Sequence, residues 1–184
     1  MKVKRLAVYA FIASILPVVA QESKTVAPAE WRYVKEDDPL HSKTHDRFIL
    51  DGTYLTPPRT STKTPSLVVE CSAGKVDQNY FNTGVVVVHR EQNQHGPLFI
   101  ERRIDGKKKD LLSTGLSTDG QSVFFTRIDL KDVLAAKQVI IGVYEYLGAQ
   151  VVLQFDIPDP SPVMEKCGED KILKRTDRIN KKAK

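Results

Sequence analysis

Apolar and polar positions alternate along much of the chain, most clearly towards its C-terminal end. Gln138 to Tyr146 is rich in β-branched and aromatic residues, and Leu147-Gly148-Ala149 supplies a turn. Gln150 to Ile157 then alternates, with Val151, Leu153, Phe155 and Ile157 on one side and Gln150, Val152, Gln154 and Asp156 on the other. This predicts a β-hairpin with one face in need of cover and the other in water, as in a half-exposed antiparallel strand. Earlier strands are expected at Trp31 to Val34, Arg47 to Leu55, Leu67 to Cys71, Val76 to His89, Pro97 to Asp105, Lys107 to Leu112 and Ser122 to Thr126. Asp51-Gly52 reads as a tight turn or a bulge, and Asp105-Gly106 as the turn of a hairpin. The four valines from Val85 to Val88 imply burial on both faces or a long central strand. Ile100 and Arg102 fall on one side of their strand, Glu101 and Arg103 on the other.

Two short helices interrupt the strands. Asp129 to Ala136 carries an apolar stripe of Leu130, Val133 and Leu134, with Asp129 as the expected cap. A second begins near Asp159 or Ser161, each followed by proline, and stops at Gly168. Glu36 to Thr44 and Pro57 to Pro65 read as loops from their composition. The fold class that follows is all-β: a mostly antiparallel two-sheet sandwich of roughly eight to nine strands, with two short helices, the last closing the domain. A mixed α+β fold with the closing helix on one sheet is the alternative.

The first 20 residues change the setting. Lys2, Lys4 and Arg5 precede an apolar run from Leu6 to Val19, with a small-residue cleavage point after Ala20, the layout of a secretory signal peptide. The expected organisation is a signal peptide at 1–20, a flexible leader at 21–30, one β-rich domain at 31–170 and a basic tail at 171–184. Cleavage takes the formal charge from +5 to +2. The tail holds Lys171, Lys174, Arg175, Arg178, Lys181, Lys182 and Lys184 against one acid, Asp177. What remains is a slightly acidic body, which is not the footprint of a dedicated nucleic-acid binder. The tail's cations are candidates for contact with an anionic membrane surface. A disordered soluble end is the alternative.

Cys71 and Cys167 both lie in the exported part, and an even pair in an oxidising compartment is expected to form a disulfide. Two buried thiols or an intermolecular bond are the alternatives. With no CxxC spacing, a redox-active dithiol is not expected.

Candidate chemistry is sparse. His41 and His45 stand four apart with Asp38 and Asp46 nearby, and His89 and His95 bracket a turn, but neither pair has a third strong ligand, so no metal or other cofactor is expected. Ser66, Ser72, Ser113, Ser117 and Ser122 are available as nucleophiles, yet none sits in a GxSxG turn. The carboxylates of Asp37-Asp38 and Glu169-Asp170 are adjacent and so do not flank a substrate. No phosphate-cradling loop is present. Lys107-Lys108-Lys109 reads as a solvated hairpin shoulder that can also touch anionic lipid or polysaccharide.

Trp31 near the start of the domain, the strand Leu67 to Cys71 headed by Pro65, the charged strand around Arg102-Arg103-Ile104-Asp105, the Phe155-Asp156 pair and the closing helix with Cys167 form an ordered pattern. It resembles a group of small exported bacterial proteins associated with type VI secretion. The chain departs from that group in Pro158 and Pro160, where glycine is usual after the Phe-Asp-aliphatic step, and in the segment before the central phenylalanine strand. The resemblance implies an accessory role in the envelope without enzymatic activity. The expected function is therefore a non-catalytic exported domain, periplasmic or extracellular, that contacts another envelope or secreted protein. An extracytoplasmic hydrolase whose site forms by convergence is the alternative.

Overall fold

The computed structural model describes residues 28–38, 43–59, 61–88, 99–146 and 148–168. The signal peptide at 1–20, most of the leader and the basic tail at 171–184 lie outside the described residues, as do His41, His89, His95 and the Glu169-Asp170 pair.

Ten strands and two helices follow in the order β1 (Arg32–Asp38), β2 (Lys43–Asp51), β3 (Thr53–Thr56), β4 (Ser66–Ser72), β5 (Lys75–Asn82), β6 (Phe99–Ile104), β7 (Lys107–Leu116), β8 (Ser122–Phe125), α1 (Arg127–Leu134), β9 (Gln138–Tyr144), β10 (Gln150–Asp156) and α2 (Ser161–Cys167). They form an antiparallel all-β sandwich with two helices. The first sheet runs β1-β2-β4-β5-β8-β7 and the second β7-β6-β9-β10-β3. β7 belongs to both: Lys107 to Leu112 pairs with β6, and after an irregularity between Ser113 and Gly115 the strand pairs with β8. An extra residue at such a point bends and twists the strand, which lets it turn from one sheet into the other.

Gly52 makes a second crossing, from β2 in the first sheet to β3 at the edge of the second. Its amide donates to the Pro65 carbonyl at 2.8 Å. A Cβ here would stand 2.5 Å from the Phe155 ring and 2.8 Å from the Gln154 carbonyl oxygen, so only glycine lets the chain pass this close to β10. The Asp51-Gly52 pair is thus neither of the two features expected, a tight turn or a bulge, but an inter-sheet link.

The core lies between the sheets. Leu67, Val69 and Cys71 of β4, Val123 and Phe125 of β8, Val139, Ile141 and Val143 of β9, and Val151, Leu153 and Phe155 of β10 all point inward and are buried. Phe81 of β5 joins the two layers, 4.7 Å from Phe125 in its own sheet and 5.3 Å from Phe155 in the other, centroid to centroid. Such aromatic pairs add about 0.5–1.5 kcal/mol beyond the area they bury.

The helices plug the sandwich. α1 begins two residues earlier than expected, because Thr126 is its cap: the Thr126 hydroxyl oxygen accepts from the Asp129 amide at 3.1 Å while donating to the Asp129 carboxylate at 2.6 Å. Asp129 is therefore not the cap but the third helical residue, whose amide and carboxylate both engage the Thr126 hydroxyl. Leu130, Val133 and Leu134 are buried, as the stripe predicts. α2 is bounded as expected, by Pro162 in its first turn and by Gly168 in the left-handed conformation after Cys167. The Asp159 carboxylate accepts from the amide and the hydroxyl of Ser161 and draws the chain into the first turn. A disulfide between Cys71 and Cys167, with Cα atoms 5.4 Å apart, ties α2 to the end of β4.

Three further expectations are corrected. Glu36 to Thr44 is not all loop, since β1 reaches Asp38 and β2 starts at Lys43. Charged residues suit β1 because it is an edge strand, where charge discourages further pairing. Val85 to Val88 is not part of a long strand: β5 stops at Asn82, and Gly84 at a φ of 70° redirects the chain. Val85 and Val87 are buried but Val86 is exposed, and the segment instead bonds to Gly120, Tyr144 and Tyr146. The turn expected from Thr114 onward starts later, because β7 runs on to Leu116.

Candidate functional site

Among the described residues, the outward face of the first sheet carries the densest set of interacting functional groups. Strand register places Val34, Arg47, Glu70 and Gln78 in one cross-strand row, and Ile49, Val68, Tyr80 and Phe124 in the next. Arg47 is the hub. Its Nε donates to Glu70 Oε1 at 2.8 Å and its Nη1 to Glu36 Oε1 at 2.6 Å. The Tyr80 hydroxyl donates to the same Glu70 oxygen at 3.1 Å, and the Tyr80 ring lies against Phe124 with centroids 5.3 Å apart. Glu70 is the most enclosed member, its side chain 13% exposed, against 31% for Arg47 and 46% for Glu36.

The electrostatics follow from this arrangement. Burial, then the Glu70 carboxylate, push the Tyr80 phenol up to about 12. Partial burial works against the Arg47 charge, but Glu70 and Glu36 outweigh it and hold the guanidinium above its ordinary value. Each group thus keeps the protonated form that donates its hydrogen bond. Tyr33 at the edge behaves likewise: its hydroxyl donates to Asp46 at 2.6 Å, and that bond raises the phenol.

Near the β4–β5 turn, register sets Ser72 directly opposite His45, and His45 Nδ1 lies 3.7 Å from Asp77 Oδ2. A serine, a histidine and an aspartate are therefore neighbours on the open face. The imidazole-carboxylate distance is longer than a hydrogen bond, so Asp77 does not fix the imidazole as a catalytic orienter must. Asp77 is itself 43% exposed.

The other residues singled out by sequence are dispersed. Asp37 accepts from the Thr44 hydroxyl across the β1–β2 hairpin at 2.9 Å. Ser66 opens β4, Ser113 lies in β7 and Ser122 opens β8, while Ser117 bonds Asp119 within a turn. Lys109 pairs with Asp132 of α1. Among the described residues no three His, Cys, Asp or Glu side chains gather to hold a metal, and no helix is long and apolar enough to cross a membrane.

Sequence reasoning missed the Arg47 network, and no local motif could have exposed it. Arg47 is 23 positions from Glu70 and Tyr80 is 10 from it. It also left Arg102 unexplained. That side chain is wholly enclosed, with Nη2 2.9 Å from Asp129 Oδ1, and the only signal was its place beside Ile100 on the apolar side of β6. Neither a scan of protein-family models nor comparison with curated proteins and solved structures returns a match.

Proposed function

We propose that the chain is a non-catalytic exported domain of the bacterial envelope that contacts another protein through the outward face of its first sheet. The observation that carries this reading is the preorganised cluster of Arg47, Tyr80 and Phe124, held by Glu70 and edged by charged side chains. Arginine and tyrosine dominate the energetics of protein interfaces, and groups already fixed in place lose little freedom on binding. The Cys71–Cys167 disulfide supports an oxidising location, as does the signal-peptide layout of Met1 to Ala20. The accessory role implied by the resemblance to exported proteins associated with type VI secretion is of the same kind.

Crosslinking in intact envelopes tests it. A partner captured by the parent chain and lost with Tyr80→Ala and Phe124→Ser, while both variants stay folded, is the expected result. Capture that ignores both substitutions, or no specific partner under several conditions, rejects it.

The register that sets Ser72 opposite His45 is what supports a second reading, an extracytoplasmic hydrolase, in which Asp77 would have to close on the imidazole from 3.7 Å. Covalent labelling of Ser72 by a fluorophosphonate, abolished by His45→Ala, would establish it in place of the first.

The tail cations from Lys171 to Lys184 are proposed to add a weak contact with anionic membrane, of order 1 kcal/mol for each residue near the surface. Liposome sedimentation with and without 171–184 decides this, and equal binding at low salt removes it.

A further inference from the structure

β1 forms one edge of the first sheet, and among the described residues it pairs with β2 alone. The amides and carbonyls along its other side are a template for a further strand. β3, at the edge of the second sheet, is a poorer one. It has four residues, its pairing with β10 shifts register between Val152 and Leu153, and Pro57-Pro58 follows it without amide hydrogens. β1 is also open on both faces. Tyr33, Lys35 and Asp37 on the side that continues the core, and Arg32 and Glu36 on the outward side, are all exposed, while Val34 is half-buried.

Charge on an edge strand turns away partners that do not complement it, and in β1 the signs are sorted along the strand, Arg32 and Lys35 ahead of Glu36 and Asp37. Reversing the strand against itself therefore brings opposite signs together. A two-fold axis normal to the sheet keeps every side chain on its own face, so one residue must stand opposite its own copy. Centred on Val34, the register sets Arg32 opposite Glu36 of the second copy, twice, around a contact between the two Val34 side chains. On the other face it sets Tyr33 opposite Lys35, again twice. Centring on Lys35 or Glu36 puts like charges face to face, and centring on Tyr33 leaves Arg32 opposite Val34 and Lys35 opposite Trp31.

We propose that β1 pairs antiparallel with β1 of a second copy in the Val34-centred register, joining two six-stranded sheets into one of twelve. The side chains suit these contacts. Arg32 reaches its own chain only at Asp51, 3.4 Å away with both side chains largely exposed, and Glu36 holds Arg47 through Oε1 with a second oxygen to offer. The Tyr33 ring, 5.3 Å from Phe48 and 45% exposed, gives the stem of the facing Lys35 an apolar bed. Lys35 stands across from Asp46 in its own sheet, which offsets the approach of the two lysines.

A seam this short buries far less than a standard interface of ~1,600 Å², so the dimer is weak and depends on concentration. Because Arg47 lies directly opposite Val34, pairing also sets two Arg47 groups in one row, three strand spacings or about 14 Å apart on a continuous outward face. The seam adds to the partner-binding reading of that face without resting on it.

Sedimentation of the full exported chain, disulfide intact, from micromolar to millimolar concentration tests the seam, and a reversible equilibrium between monomer and dimer is expected. Arg32→Glu and Glu36→Lys, each alone, set like charges opposite and are expected to weaken dimerisation by about tenfold or more. Mixed in equal amounts, the two variants are expected to pair again, because position 32 of one then faces its opposite charge at position 36 of the other. Val34→Cys keeps the test open should a charge variant not fold: it is expected to crosslink on mild oxidation, since only this register sets position 34 opposite itself, whereas Leu55→Cys on β3 is not. Tyr80→Ala is expected to leave the dimer unchanged, which separates the seam from the Arg47 cluster. A chain that stays monomeric at millimolar concentration overturns the proposal. So does dimerisation untouched by both charge variants, a mixture that pairs no better than its parts, or crosslinking through Leu55→Cys in place of Val34→Cys.

Discussion

Arg102 and Asp129 meet at 2.9 Å between the middle of β6 and the first turn of α1, the guanidinium fully enclosed and the carboxylate 14% exposed. The Asp129 carboxylate also accepts from the capping Thr126 hydroxyl, so one carboxylate steadies the start of the helix and attaches it to the second sheet. Removing one partner of a buried pair strands the other, and Arg102→Ala is expected to cost about 3–5 kcal/mol. Urea unfolding should show a lowered midpoint with an unchanged slope.

Thr126→Ala leaves the ion pair in place but deprives the Asp129 amide of its acceptor. A loss of about 1 kcal/mol is expected. If Asp129 were the cap, as sequence reading suggested, this substitution would be nearly silent.

Gly52→Ala puts a methyl group into the Phe155 ring and the β10 backbone at the crossing between sheets. Overpacking of this kind costs about 1–3 kcal/mol. Thermal unfolding measures it, and an unchanged midpoint would mean that the crossing has room to spare.

The disulfide closes a long loop, its cysteines 96 positions apart. Chain-entropy reasoning puts its contribution near 4.7 kcal/mol as an upper figure. Cys71→Ser and Cys167→Ser should each lower the unfolding midpoint strongly, and the double variant should match either single one, since the bond is lost once. Thiol titration of the unfolded, unreduced chain should find no reactive thiol.

Tyr80 gives a pH signature. Burial and Glu70 raise its phenol to about 12 in the folded protein, against about 10 in the unfolded chain. The folded state therefore holds the proton more tightly, and the associated stability is complete below about pH 10 and lost as pH rises towards 12. Tyr80→Phe should flatten the fall of stability across that window. Unfolding midpoints at several alkaline pH values, parent against variant, give the comparison.

How far sequence alone reaches differs between elements. β9 was legible from its β-branched and aromatic residues, β10 from the apolar series Val151, Leu153, Phe155 and Ile157, and α2 because proline and glycine mark its ends. The disulfide partners followed from there being two cysteines. The start of β1 was legible at Trp31 to Val34 but its second half was hidden by its charges, which an edge strand tolerates, and the valine run misled because composition does not report the turn in φ at Gly84. The outward surface depends on register. Glu70 meets Arg47 only because β4 lies beside β2. That adjacency joins segments distant in sequence, and no spacing rule encodes it.

Gly52 also governs the sequence of events in folding. It links β2, second in the strand order, to β3, which is last and pairs only with β10. During synthesis β3 therefore waits for nearly a hundred residues before its neighbour emerges, and the sandwich cannot close until the chain is almost complete. Long-range closure of this kind slows folding and leaves the edge of β10 and the inner face of the first sheet uncovered meanwhile. A chain broken between β3 and β10 would yield two pieces that must find each other, each lacking a wall of the core.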